Sequence, residues 1–174
     1  MSRISTTPRL SHVRDEVDEL VEAWSRERGD LDLAPVTVFS RISRLARRLE
    51  LARRDAFTSH GIEVWEFDVL AALRRAGAPY ELSPGRLLRA TLVTSGTMTN
   101  RVDRLSARGL VERYPDPDDR RGVIVRLTTE GRHTVDAAFT ALLEAEHALL
   151  EDLPERDRKK LAALLRMLLA PYVD

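Results

Sequence analysis

The sequence predicts a mainly α fold with a small β-wing, a winged helix-turn-helix set between N- and C-terminal dimerisation helices. Three observations predict it. Residues 82–128 hold two short helical patterns followed by two strand-like runs. A charged turn, Asp116-Pro117-Asp118-Asp119-Arg120-Arg121-Gly122, joins those runs. Long amphipathic helices flank this segment on both sides, and their apolar faces exceed what so small a core can cover.

The elements follow in order. Residues 10–27 read as a first helix, with Val13, Val17, Leu20, Val21 and Trp24 on one face and acids between them. Gly29-Asp30-Leu31-Asp32 breaks it. Pro35 suits the first turn of a second helix, which carries Val38, Ile42, Leu45, Leu49 and Ala52 at helical spacing. That helix ends near His60-Gly61, where glycine adopts a left-handed cap at little cost. A third helix at 62–76 is apolar on most sides through Val64, Trp65, Phe67, Val69, Leu70 and Leu73, and is expected to be buried. Two short helices, 83–90 and 95–108, are joined by Thr91-Leu92-Val93-Thr94. Leu110 to Tyr114 and Val123 to Leu127 are rich in strand-forming residues. Thr128 is an N-cap for a long helix with Val135, Ala138, Phe139, Leu142, Leu143, Leu149 and Leu150. Pro154 opens a last helix carrying Leu161, Leu164, Leu165, Leu168 and Leu169, and Pro171 ends it.

These divide the chain into an N-terminal extension helix (1–34), a dimerisation helix (35–61), a winged helix-turn-helix domain (62–128) and C-terminal dimerisation helices (129–174). The terminal apolar faces are satisfied most economically by a second copy, since two-fold pairs are the commonest oligomers. A monomeric helical cap over the core is the alternative.

Composition narrows the function. Formal net charge is zero, yet residues 86–126 hold nine arginines against five acids. A local basic stripe in a neutral chain is a footprint for phosphate. The chain has no cysteine, which excludes disulfides, thiolate nucleophiles and thiol-ligated metals. The four histidines (12, 60, 133, 147) lack metal-ligand spacing, so no metal and no cofactor is expected. No Ser/His/Asp arrangement, H-E-x-x-H or glycine-rich phosphate loop argues for an enzyme. No apolar run approaches the roughly 18–20 residues of a membrane span, and the first residues lack a signal-peptide core. A cytoplasmic protein without membrane contact is expected.

At about 100° per residue, Met98, Val102 and Leu105 form the inner stripe of the 95–108 helix. Thr97, Asn100 and Arg104 lie opposite, where short polar donors and a guanidinium can reach base edges of double-stranded DNA. The helix start, with Ser95, offers a hydroxyl and backbone N–H groups to a phosphate. Arg120 and Arg121 at the turn suit the narrow minor groove, and Asp119 is placed to pair with Arg121. An ordinary charged surface helix and a solvated hairpin remain the alternatives for each part alone.

Two segments carry a resemblance. Val102-Asp-Arg-Leu105-Ser-Ala-Arg-Gly109-Leu-Val-Glu-Arg113 and Asp119-Arg120-Arg121-Gly122-Val-Ile-Val-Arg-Leu127-Thr128 resemble the recognition-helix end and wing of the MarR family. The similarity covers residues 36–173. It implies a homodimeric regulator that binds a palindromic operator, usually as a repressor, and is released by a small ligand. The extra helix at 10–27 resembles that of the urate-responsive branch. That branch is marked by a Trp in the extra helix, an Asp before the DNA-binding motif and two arginines in and after the recognition helix. Trp24, Asp68, Arg101 and Arg113 occupy the matching places.

The resemblance thus implies a site for a small anionic ligand, urate or similar. On the residues themselves, a carboxylate at Asp68 inside an apolar helix needs a partner or a raised pKa. Arg101, beside the core stripe, is placed to supply that partner, so a ligand that loosens an Asp68–Arg101 pair would move the recognition helix. A static ion pair, a core role for Trp24 and a phosphate contact for Arg113 remain alternatives. So do a phenolic or organic-acid ligand and an architectural protein that binds DNA with little sequence reading.

Overall fold

The computed structural model describes residues 14–91, 95–117 and 122–172. The chain divides into two compact units, residues 1–49 and 50–174, the division falling inside a long helix.

The first unit contains α1 (Glu16–Glu27) and the first part of α2 (Ala34–Thr58). Asp15 caps α1, its carboxylate accepting from the Val17 and Asp18 amides, while Asp18 reaches back to the Asp15 amide. The same two acids receive Arg41 of α2, at 2.8 Å from Asp15 and 2.8 Å from Asp18. Donation by Arg41 holds the Asp15 carboxyl down at about 2. Arg44 pairs with Glu16 beside them. Among the described residues of this unit only Val17 is buried; Trp24, Val38, Phe39 and Leu45 are exposed.

The second unit holds the main core. α2 ends at Thr58 and Gly61 takes φ +68°, the left-handed cap expected there. α3 (Val64–Arg75) buries Phe67, Val69, Leu70 and Leu73; Val64 and Trp65, in its first turn, are not buried. Phe67 stacks on Phe57 with ring centroids 4.1 Å apart. The helix-turn-helix pair is α4 (Pro84–Thr91) and α5 (Ser95–Ala107). Leu87 of α4 and Met98, Val102 and Leu105 of α5 are all buried in the same core, as the inner stripe required.

The wing is a three-stranded antiparallel sheet, not the two strands expected. β2 (Val111–Pro115) and β3 (Val123–Leu127) form the hairpin, with Arg113 opposite Val125. A two-residue strand, β1 (Glu81–Leu82), pairs with the other side of β3 and places it centrally. Two residues cannot show an alternating pattern, which is why periodicity missed it.

Thr128 caps α6 (Thr129–Leu149) as expected, accepting from the Gly131 amide at 2.9 Å and donating to the Gly109 carbonyl at 2.7 Å. A Cβ at Gly131 would meet the Leu110 carbonyl oxygen at 2.0 Å, so the close approach of α6 to the start of β2 requires glycine. α6 buries Val135, Ala138 and Leu142 and leaves Phe139 49% exposed. The last helix, α7 (Glu155–Leu169), follows Pro154 and runs into a 3₁₀ turn at Ala170–Tyr172. α7 buries nothing: Leu161, Leu164, Leu168 and Leu169 are exposed and Met167 is 71% exposed.

Candidate nucleic-acid interface

Burying Met98, Val102 and Leu105 fixes which side of α5 faces outward. Thr97, Asn100 and Arg104 are exposed on it, as the helical projection predicts. With Gly96, Arg101 and Trp65 they line an open groove of about 460 Å³. Ser95 begins α5, but its side chain lies outside the described residues. So do the wing-tip residues Asp119, Arg120 and Arg121.

The wing's base is well defined. Glu81 of β1 accepts from the Tyr114 hydroxyl at 2.6 Å and from Arg126 at 2.6 and 2.9 Å. The Arg126 guanidinium also lies 4.5 Å over the Tyr114 ring. Burial, followed by donation to Glu81, pushes the Tyr114 hydroxyl up to about 12. Tyr114 and Arg126 together hold the Glu81 carboxyl below the usual carboxylate range. The three residues tie the three strands together. Asp116 N–H donates to the Gly122 carbonyl at 3.0 Å where that turn begins.

The ion pair expected between Asp68 and Arg101 does not form. Asp68 is not buried: its side chain is 43% exposed and its partner is Arg53, at 3.5 Å. On α3 it points toward α2, so its charge is solvated rather than trapped. Arg101 instead lies 5.5 Å over the Trp65 ring. Arg113 pairs with Asp103 at 2.8 Å and donates to the Thr99 carbonyl, on another flank of α5. Trp24, in the first unit, is 50% exposed. Asp68, Arg101 and Arg113 therefore sit in three separate contacts.

The buried acid of α3 is Glu66, at 1% exposure. Both its oxygens accept from Arg108 Nη1 at 2.6 Å, and Oε2 also accepts from the Glu63 amide at 2.9 Å. Arg108 donates further to the Gly61 carbonyl at 2.7 Å. One turn back along α5, Arg104 pairs with Glu63 at 3.0 Å and stacks over Trp65 at 4.6 Å. Glu63 also accepts from Trp65 Nε1 at 2.9 Å. The first turn of α3 thus grips α5 at three arginines. Sequence reasoning missed this grip. The available signal was Glu63-Val-Trp-Glu66, whose i,i+3 acids form one half of a capping box.

A helix offering hydroxyl, amide and guanidinium groups, beside a braced hairpin, can hold phosphates and read base edges. Among the described residues no cluster of three or more His, Asp or Glu is placed to bind a metal, and no helix is long and apolar enough to cross a membrane.

Residues 60–122 match the model of the MarR family. The chain is 37% identical over 150 residues to the HTH-type transcriptional regulator PecS of Dickeya dadantii, covering 86% of this chain and 90% of that one. Its fold is similar to the crystal structure of a cysteine-to-serine mutant of MarR from E. coli complexed with operator DNA (TM-score 0.63, 25% identity, 90% of this chain and 99% of that one). It is also similar to a structure of Bordetella bronchiseptica BpsR, described as showing the regulation of that protein's DNA binding by 6-hydroxynicotinic acid. There the TM-score is 0.56 and identity 28%, over 74% of this chain and 98% of that one.

Proposed function

The chain belongs to the MarR family of DNA-binding transcriptional regulators, not enzymes, and on that footing we propose that it represses from a palindromic operator as a homodimer and is released by a small planar anion. The observation that carries this reading is the outward face of α5, with Thr97, Asn100 and Arg104 exposed above a fully buried stripe. In a helix-turn-helix such a helix enters the major groove. Arg120 and Arg121 are proposed to enter the adjacent minor groove, and Ser95 to contact a phosphate.

The homodimer is supported by the apolar faces of α6 and α7. Phe139, Leu143, Leu161, Leu164, Met167 and Leu168 stay exposed in the single chain, and that many exposed large apolar side chains on two helices is what a partner copy would cover. A two-fold pair presents two α5 helices to two half-sites about one DNA turn apart.

For the ligand, urate or an organic acid of like chemistry, the proposed contacts within the second unit are Asp68, Arg101 and Arg113. Similarity to BpsR, whose DNA binding is described as regulated by 6-hydroxynicotinic acid, supports a planar, hydrogen-bonding anion. The route to release differs from an Asp68–Arg101 break. An anion that draws Arg101 off Trp65 removes one of the contacts between α3 and α5, and so shifts the reading helix. The test is binding to the DNA upstream of the protein's own gene, against scrambled DNA at equal salt, with and without urate and 6-hydroxynicotinate. Strong preference for the native duplex, relieved by one of these anions, is expected. Equal affinity for both duplexes would instead favour an architectural DNA-binding protein.

A further inference from the structure

Arg104 is more than half exposed, and a long side chain in that position ordinarily samples many rotamers. Here it is held by two residues. Its guanidinium lies 4.6 Å over the Trp65 ring, and Nη2 donates to Glu63 Oε1 at 3.0 Å. Glu63 is itself held by Trp65, whose Nε1 donates to Oε2 at 2.9 Å. The circuit is closed, and it borders the groove that Thr97 and Asn100 also line.

We propose that Glu63 and Trp65 are positioning residues that set the sequence specificity of DNA binding through Arg104. The inference rests on the DNA-reading function proposed above. Bidentate recognition of a guanine edge needs the guanidinium plane in one orientation, and a stacked, carboxylate-pinned arginine supplies it in advance. Glu63 has a second effect. Its negative charge opposes a nearby phosphate, so it penalises the sequence-independent contact that an unrestrained Arg104 would make. Base-edge reading keeps the Glu63 pair; collapse of Arg104 onto the backbone breaks it. Glu63 therefore favours discrimination at some cost in total affinity.

The test uses fluorescence anisotropy with the full-length protein over a salt series. The probes are the footprinted duplex upstream of its own gene and a scrambled duplex of the same composition. Glu63→Gln keeps the side-chain shape and removes the charge. It is expected to bind scrambled DNA at least as tightly as the parent, while the footprinted-to-scrambled affinity ratio falls roughly tenfold. In an Arg104→Ala background the same substitution is expected to leave the ratio unchanged. Trp65→Phe keeps a ring and removes the N–H, and is expected to lower the ratio in the same direction, which provides a second reading if Glu63→Gln folds poorly. An unchanged ratio in both variants overturns the proposal, as does a Glu63→Gln effect that persists without Arg104. A parent protein that does not distinguish the two duplexes removes the underlying function along with it.

Discussion

Arg108 donates to both carboxylate oxygens of Glu66 at 2.6 Å, and this pair fastens the end of the reading helix α5 to the first turn of α3. Glu66 is 1% exposed and Arg108 42%, so water screens one partner and not the other. Removing the arginine strands a buried charge, while removing the acid leaves an arginine that water can still solvate. Arg108→Ala is therefore predicted to lower stability by about 2–3 kcal/mol, less than for a fully buried pair. Urea unfolding at neutral pH measures it. A loss below about 0.5 kcal/mol would show that Glu66 finds another partner.

Gly131 makes a different kind of test, of steric fit rather than charge. A methyl group there would sit 2.0 Å from the Leu110 carbonyl, an oxygen that already accepts from the Thr128 amide. Gly131→Ala must push α6 away from β2, and a loss of about 2 kcal/mol or more is expected in thermal or urea unfolding. Helix propensity alone would favour alanine by up to about 1 kcal/mol, so a stabilised variant would contradict the packing.

How much of this was legible in the sequence depends on the range of the interaction. The buried stripe of α5 and its outward Thr97, Asn100 and Arg104 follow from a single helical period. The Thr128 cap and the Gly61 turn follow from local backbone chemistry. β1 was not legible, because Glu81 and Leu82 are too few to show alternation. The buried acid was misplaced by half a turn. Asp68 and Glu66 both interrupt the same apolar helix, and periodicity does not say which one meets a cation. That is decided by Arg108, 42 residues away in sequence, and by Arg53 on α2. Trp65 was read as core for the same reason; its place beside Arg101 and Arg104 is a tertiary fact.

The base of the wing should report on pH. Tyr114 is raised to about 12 by burial and by its bond to Glu81, above the roughly 10 of a free tyrosine. Its stabilising contribution is full below pH ~10 and is lost as pH rises through 12. Glu81 is depressed by Tyr114 and Arg126, so its contribution is present above the ordinary carboxylate range and lost as pH falls below it. Tyrosinate absorbance should show a late ionisation step near pH 12, and Tyr114→Phe should remove it. A titration curve from which Tyr114→Phe removes no late step would contradict the Glu81 bond.

Asp68 tests the ligand reading. Asp68→Asn is expected to leave the fold intact, because its carboxylate is half-exposed and only 3.5 Å from one partner. It should blunt release from DNA by urate or 6-hydroxynicotinate at least severalfold, as judged by the anion concentration at half-release. An unchanged half-release concentration would take Asp68 out of the ligand site.

The most direct measurement of the central claim is the salt dependence of affinity for the native upstream duplex and a scrambled one, for the parent, Asn100→Ala and Arg121→Ala. The parent is predicted to prefer the native duplex by roughly a thousandfold or more. Asn100→Ala should lose preference without changing the salt slope, and Arg121→Ala should lower affinity and reduce the slope by about one. Equal affinities for the two duplexes, with both variants indistinguishable from the parent, would contradict a reading role for the outer face of α5.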